Sequence, residues 1–114
     1  MKIIKEKISL KELKQLAEET FGELVKAVID IERKLMVVGG ELHSDQEALL
    51  LSEGSKQKDI WGINLYPEKY PRSSWLEFDS LINLRPSFGN KSRSVDDPKI
   101  RQKIIEIVNK LVVK

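Results

Sequence analysis

Two apolar runs decide the fold: Val25-Lys26-Ala27-Val28-Ile29-Asp30-Ile31 and, after Glu32-Arg33, Lys34-Leu35-Met36-Val37-Val38. Both runs are rich in β-branched residues, which favour strands, and the two-residue break between them predicts a β-hairpin. The break lacks the Asn-Gly or Gly-Gly pair of a primed hairpin turn. A continuous helix over residues 9–36 is therefore the alternative, and the hairpin is the interpretation that we favour.

Amphipathic helices are predicted on either side of the hairpin. Ser9 and Glu12 have the spacing of a capping box at the start of the first helix. Ser44 and Glu47 repeat that spacing before a second helix over residues 45–53. We expect the second helix to bury apolar residues, namely Ala48, Leu49 and either Leu50 or Leu51.

Three further strands and a last helix complete the pattern. Residues 2–8 predict a short edge strand, and residues 59–66 and 75–85 alternate apolar and polar side chains as strands do. Asp97 and Pro98 are typical of a helix start. The order β-α-β-β-α-β-β-α predicts an α+β fold with an antiparallel sheet of about four to five strands and three helices. Its first six elements match a ferredoxin-like split βαβ pattern with an added strand and helix.

Length and composition narrow the class of protein. A chain of 114 residues suits a single domain, residues 1–114. Without cysteine it has no disulfide, and it suits a reducing compartment. The charged N-terminus and short apolar runs predict a cytoplasmic protein with no membrane association. Lysine and glutamate dominate the charged residues, as in thermophile proteins. A net charge of only +2 does not indicate nucleic acid as a partner.

The first candidate site is His43-Ser44-Asp45-Gln46-Glu47, which contains the only histidine. The side chains of His43, Asp45 and Glu47 are of the types that ligate a divalent metal or transfer protons. The competing interpretation is that Ser44 and Glu47 only cap the helix, and that Asp45 only complements its positive end.

The second candidate site is the polar face of two predicted strands, with Asn64 on one and Asp79, Asn83 and Arg85 on the other. Asn64 and Asn83 stand out because asparagine is depleted in strands. After them, the loop 85–93 carries Arg85, Asn90 and Arg93, whose cations and turn-forming residues suit an anion. The competing interpretation is that the arginines pair with Asp79, Asp96 or Asp97.

Together these residues predict a small binding protein for an anionic ligand, either a phosphate or a carboxylate. Its predicted ligand-binding residues are Asn64, Asn83, Arg85, Asn90, Arg93 and His43. The first alternative is a metal-assisted hydrolase or nuclease in which His43 and carboxylates, including Asp79, hold a metal ion. The second alternative is a structural or regulatory partner, which exposed Trp75, Tyr66 or Tyr70 would indicate; self-association into a homo-oligomer is also consistent with the sequence.

Several local sequences resemble a short prokaryotic family of uncharacterised proteins. They are Glu41-Leu42-His43-Ser44-Asp45, Gly54-Ser55-Lys56-Gln57, Trp61-Gly62-Ile63-Asn64, Tyr66-Pro67 and Ser80-Leu81-Ile82-Asn83-Leu84-Arg85-Pro86. The resemblance spans nearly the whole chain and is strongest over residues 25–93. It implies a short standalone protein. Since the family has no assigned activity, the resemblance transfers no catalytic residue or cofactor.

Overall fold

The computed structural model describes all 114 residues and contains three α-helices and seven strands. The helices are α1 (Leu10–Glu19), α2 (His43–Ser52) and α3 (Pro98–Leu111). The strands are β1 (Lys2–Ile4), β2 (Ile8–Ser9), β3 (Val25–Asp30), β4 (Leu35–Val38), β5 (Ile60–Leu65), β6 (Leu76–Glu77) and β7 (Val112–Val113). No helix has the length and apolar character that crossing a bilayer requires.

The main sheet is antiparallel throughout and has the order β1-β4-β3-β5-β6. The predicted hairpin is confirmed as β3 and β4, with Ala27 opposite Val38 and Asp30 opposite Leu35. Its turn does not need an Asn-Gly pair because the Asp30 carboxylate accepts hydrogen bonds from the backbone N–H groups of Glu32 and Arg33, both at 2.9 Å. An aspartate side chain thus organises the turn.

Two crossover connections explain why helices cover both faces of the sheet. β1 and β3 are parallel with β4 between them, which is the predicted split βαβ unit around α1. β4 and β5 are likewise parallel around α2, with β3 between them. Both crossovers step in the same direction across the sheet, but β4 runs opposite to β1. Right-handed crossovers therefore place α1 and α2 on opposite faces.

The strand order confirms the predicted α+β class and departs from the ferredoxin-like order at β5. In that order the strand after the second helix returns to the side of β1, whereas here it pairs with β3. The α1 and α3 face carries a core of 19 buried residues, and the α2 face carries a core of five. The smaller core leaves room for polar side chains beneath α2.

The strand predicted over residues 75–85 is wrong beyond its first residues. Only Leu76–Glu77 pairs as a strand, and the chain then forms 3-10 turns at Leu81–Asn83 and Pro86–Phe88. The reason is that the Asn83 side chain takes the place of a strand. Its Oδ1 accepts from the Gly62 N–H at 2.8 Å and its Nδ2 donates to the Gly62 carbonyl at 2.9 Å.

A glycine at position 62 permits this arrangement. A Cβ added to Gly62 would lie 2.6 Å from the Cβ of Ser80 and 2.6 Å from its Oγ. Any side chain here would push the Ser80 turn away from β5, and the carboxamide of Asn83 would move with it.

Two of the three predicted helix starts are confirmed. Ser9 accepts from the Glu12 N–H at 3.1 Å, and Asp97 accepts from the Lys99 N–H at 2.8 Å. The predicted capping box of Ser44 and Glu47 is wrong, because the N-cap is Leu42, which supplies no side-chain hydrogen bond.

The buried face of α2 also differs from the prediction. Ala48 and Leu51 are exposed, Leu49 is half-buried, and the buried side chains are His43, Gln46 and Leu50. Two of these three are polar, so apolar periodicity misplaces the inward face. They are accommodated because His43 contacts the Ile63 carbonyl and Gln46 donates to the carbonyls of Lys26 and Gly39.

Candidate functional site

A cleft of about 220 Å³ opens at the N-terminus of α2, between that helix, β3, β5 and the segment that follows β6. We call it the α2 cleft. Its polar lining comprises Lys26, His43, Ser44, Asn64, Asp79, Ser80 and Arg93, and its apolar lining comprises Leu42, Leu81 and Ile82. Three of the six predicted ligand-binding residues therefore line one cleft: His43, Asn64 and Arg93.

The N-terminus of α2 presents free backbone donors to this cleft. The first backbone hydrogen bond of the helix runs from the Gln46 N–H to the Leu42 carbonyl, at 3.3 Å. The N–H groups of His43, Ser44 and Asp45 precede it and have no intrahelical acceptor, and no side chain caps them. These groups carry the positive end of the helix dipole. Because Leu42, His43 and Ser44 line the cleft, the free donors border it.

His43 is a neutral, oriented side chain at the wall of the cleft. It is buried, and its Nε2 lies 2.8 Å from the Ile63 carbonyl oxygen. A carbonyl only accepts, so Nε2 carries the hydrogen and Nδ1 keeps its lone pair. Burial lowers the pKa of His43, while its hydrogen bond to Ile63 acts in the opposite direction. The imidazole is therefore an acceptor through Nδ1 at neutral pH.

Burial of His43 predicts a specific loss of stability in mild acid. In the unfolded protein the imidazole binds a proton below its usual pKa of about 6.5. In the folded protein burial lowers that pKa, so the folded state binds this proton less readily. The free energy of unfolding should therefore fall as the pH is lowered from 7 to 5. His43→Gln should reduce this fall, which urea unfolding at each pH measures.

Burial raises the pKa of Glu47, so its contribution to stability grows as the pH falls towards about 4.5 and offsets part of the loss from His43. Because Glu47 is present in both proteins, the difference between the wild type and His43→Gln reports the contribution of His43. Equal pH dependence in the wild type and in His43→Gln would show that His43 is not a buried neutral base.

Two cations flank the free helix end. Lys26 lies directly opposite Asn64 in the register of β3 and β5, and it forms no salt bridge. The Nε of Arg93 lies 2.9 Å from Oδ1 of Asp79, with both side chains about half exposed. This pair confirms the competing interpretation for Arg93, yet it also fixes the guanidinium at the rim of the cleft.

Asn64 is a buried amide whose hydrogen-bonding capacity is only half used. It is 7% exposed, and its Nδ2 donates to Oε1 of Glu77 at 2.8 Å and to the Asp79 carbonyl at 3.3 Å. Its Oδ1 accepts no hydrogen bond. A buried acceptor without a donor is costly, so the Asn64 Oδ1 is a buried polar atom that the protein leaves unpaired.

Asn83 and Asn90 lie outside the cleft and shape the loop that brings Arg93 to it. Besides pairing with Gly62, the Nδ2 of Asn83 donates to the Arg93 carbonyl at 3.0 Å. The Nδ2 of Asn90 donates to the Asn83 carbonyl at 2.8 Å and to the carbonyls of Ser92 and Ser94 at 3.0 and 2.7 Å. With these donors committed to backbone carbonyls, both asparagines position the loop and have no free donor for a ligand.

Arg85 also lies outside the cleft and covers the edge of β5. Its guanidinium donates to the Gln57 carbonyl and, at 2.6 Å, to the Ile60 carbonyl. It also stacks on Trp61, with 4.3 Å between the guanidinium carbon and the ring centroid. Burial lowers the pKa of Arg85, and Glu47 partly offsets that effect. The structure thus separates Arg85 from Arg93.

The two alternatives from the sequence lack their expected geometry. No group of three or more His, Asp or Glu side chains is arranged to hold a metal ion, so the sphere predicted around His43 is not formed. Trp75 is buried and packs edge-on against Tyr70, with 5.0 Å between centroids. Tyr66 and Tyr70 are half-buried, so these three side chains do not form the exposed aromatic surface that was expected of a protein-interaction partner.

A larger groove lies between residues 5–7, the β3–β4 turn and α3, and it is less suited to a specific ligand. It measures about 590 Å³ and is lined by Lys5, Lys7, Arg33, Lys34 and Lys110, with Glu6 and Glu106 among them. All of these charged side chains are exposed, so water screens them. Lys7 donates to the Lys110 carbonyl at the C-terminal end of α3, where a cation complements the helix dipole.

Sequence reasoning missed Lys26 and Ser44 as cleft residues, and it placed Asp79 on the predicted polar strand face without choosing it as a ligand-binding residue. A signal for Lys26 existed. It is the single charged residue between the buried positions of β3, where a lysine points to the same face as Val28. Ser44 was hidden by its apparent role as a helix cap.

Comparison with known proteins identifies a family without a described activity. The model of a family described as protein of unknown function (DUF5674) matches residues 2–111. No curated protein and no solved structure matches the chain.

Proposed function

The chain belongs to the DUF5674 family, and from the geometry of the α2 cleft we propose that it is a small cytoplasmic binding protein for an anionic small molecule. The ligand occupies the N-terminus of α2, between Lys26 and Arg93. The observation that carries this proposal is the uncapped helix end, whose first residues line a cleft together with two cations.

Each part of this arrangement favours an anion for a physical reason. Free N–H groups and the helix dipole make an uncapped N-terminus a ready anion site. Lys26 supplies a charge that no carboxylate neutralises, and Arg93 supplies planar donors beyond the Nε that Asp79 engages. The Ser44 hydroxyl adds a neutral donor or acceptor. Leu42 and Leu81 are exposed apolar residues of the cleft lining.

Removing the two cations should weaken anion binding without unfolding the protein. In Lys26→Met and in Arg93→Gln we expect the dissociation constant for inorganic phosphate to rise at least about 10-fold, because each change removes a charge-assisted interaction. Isothermal titration calorimetry at fixed ionic strength measures the constant. Lys103→Gln, an exposed residue of α3, is the matched control and should bind as the wild type does.

Arg85→Gln, compared with Arg93→Gln, separates the cleft from the arginine outside it. Arg85→Gln should lower the melting temperature, because Arg85 holds two carbonyls of the β5 edge. Its effect on the affinity of the folded protein should be small. The proposal is rejected if the wild type binds no small oxyanion in the millimolar range, or if Lys103→Gln weakens binding as much as Arg93→Gln does.

A further inference from the structure

The α2 cleft contains hydrogen-bond acceptors as well as donors. Asp79 brings a carboxylate, of which only Oδ1 is engaged by Arg93. His43 brings the lone pair of Nδ1, since its Nε2–H is committed to the Ile63 carbonyl. Asn64, which is more than nine-tenths buried in the wall of the cleft, has an Oδ1 that accepts no hydrogen bond and has almost no exposed surface. The orientation of the Asn64 amide is fixed because its Nδ2 donates to Glu77.

These acceptors favour an anion that carries an acidic hydrogen over an anion that carries none. A fully ionised oxyanion such as sulfate, or a simple carboxylate, has only acceptor oxygens at neutral pH. Placed here, it would face the Asp79 carboxylate with like charge and the His43 Nδ1 lone pair without a donor. Inorganic phosphate differs because it keeps at least one P–O–H group at pH 7. That group can donate to an acceptor while the remaining oxygens accept from the helix end, Lys26 and Arg93.

We infer that the ligand of the α2 cleft is a protonated phosphoryl group, P–O–H, and that the cleft rejects sulfate and simple carboxylates. The inference rests on the proposed anion-binding function and narrows it. The cationic half of the cleft, formed by the α2 N-terminus, Lys26 and Arg93, holds the charged oxygens. The acceptor half, formed by Asp79 and His43, holds the hydroxyl. A volume of about 220 Å³ suits free phosphate or the end of a small phosphate monoester.

Competition between matched oxyanions tests this inference. Calorimetry at pH 7 and constant ionic strength compares inorganic phosphate, sulfate and acetate with the wild-type protein. We expect phosphate to bind at least 10-fold more tightly than either of the other two.

Methyl phosphate at pH 6 distinguishes the two sources of a phosphoryl group, which are free phosphate and a phosphate monoester. Binding comparable to that of inorganic phosphate identifies the site as one for monoesters, and a clear loss identifies it as one for free phosphate.

Asp79→Asn provides the decisive variant. An asparagine keeps the shape, removes the negative charge and offers a donor, so sulfate should bind more tightly and the preference for phosphate should shrink to less than about threefold. Asp79 is about half exposed, and thermal unfolding confirms that the variant is folded. Glu18→Gln, an exposed residue of α1, is the control and should keep the wild-type preference.

The possible failures point to different conclusions. If sulfate binds the wild type as tightly as phosphate does, the inference fails and the proposed anion-binding function stands. An unchanged preference in Asp79→Asn also overturns it, because the acceptor half would then have no role. If neither oxyanion binds, the proposed function fails together with the inference.

Discussion

Asn83→Ala is expected to lower the free energy of unfolding by about 3–5 kcal/mol, because it leaves several buried backbone groups unpaired and opens a small cavity. Asn83 is fully buried. Its carboxamide pairs with both the N–H and the carbonyl of Gly62 and also donates to the Arg93 carbonyl. The substitution removes the side-chain contact that closes the open edge of β5. Urea unfolding followed by circular dichroism measures the change in the free energy of unfolding.

Asn109→Ala is the matched control, since Asn109 is an exposed asparagine on α3. Its effect should stay within about 0.5 kcal/mol. In Asn83→Asp, one oxygen can still accept from Gly62, but the donor to the Gly62 and Arg93 carbonyls is lost, so a large part of the destabilisation should remain. A change below about 1 kcal/mol in Asn83→Ala would show that the side chain does not substitute for a strand.

Asp30→Ala is expected to cost about 3 kcal/mol of folding free energy, since three donors lose their acceptor in a buried turn. Asp30 is fully buried, and its carboxylate accepts from Glu32 N–H, Arg33 N–H and the Ser55 hydroxyl, the last at 2.5 Å. The same carboxylate thus ties the β3–β4 turn to the segment after α2. Hydrogen exchange of the Glu32 and Arg33 amides reports the loss at the turn itself.

Glu32→Ala is the control for that turn, because the Glu32 side chain is exposed and only its backbone N–H contacts Asp30. Asp30→Asn should cost less than Asp30→Ala, as its amide oxygen can still accept from the two backbone N–H groups. If Asp30→Ala and Glu32→Ala were equally stable, the turn would be held by the strands alone.

The sequence predicts those parts of the fold that depend on local chemistry. The β-branched runs around residue 33 identify the hairpin, and Ser9 and Asp97 identify two helix starts, because strand propensity and capping act within a few residues. Crossover direction is a non-local property. Whether β5 pairs with β1 or β3 depends on which edge buries more surface, and the order of elements contains no record of that choice.

Only half of the predicted site residues lie together in the structure, for a comparable reason. Residue type identifies His43, Asn64 and Arg93 as unusual, and the structure brings them to one cleft. The same criterion selects Asn83 and Arg85, whose side chains bond to the backbone of β5 instead. One buried asparagine completes a sheet edge and another lines a cleft, yet both look the same in the sequence. In both cases an asparagine interrupts a strand pattern, because its amide competes with backbone groups for hydrogen bonds.

A titration of the ¹⁵N-labelled protein with inorganic phosphate, followed by amide chemical shifts, tests the account most directly. Phosphate should shift the amide resonances of His43, Ser44 and Asp45 saturably, whereas amides bordering the lysine-rich groove, such as those of Lys34 and Lys110, should move only as they do with added chloride. If the three α2 amides do not respond, or if the groove responds in their place, the α2 cleft is not an anion site.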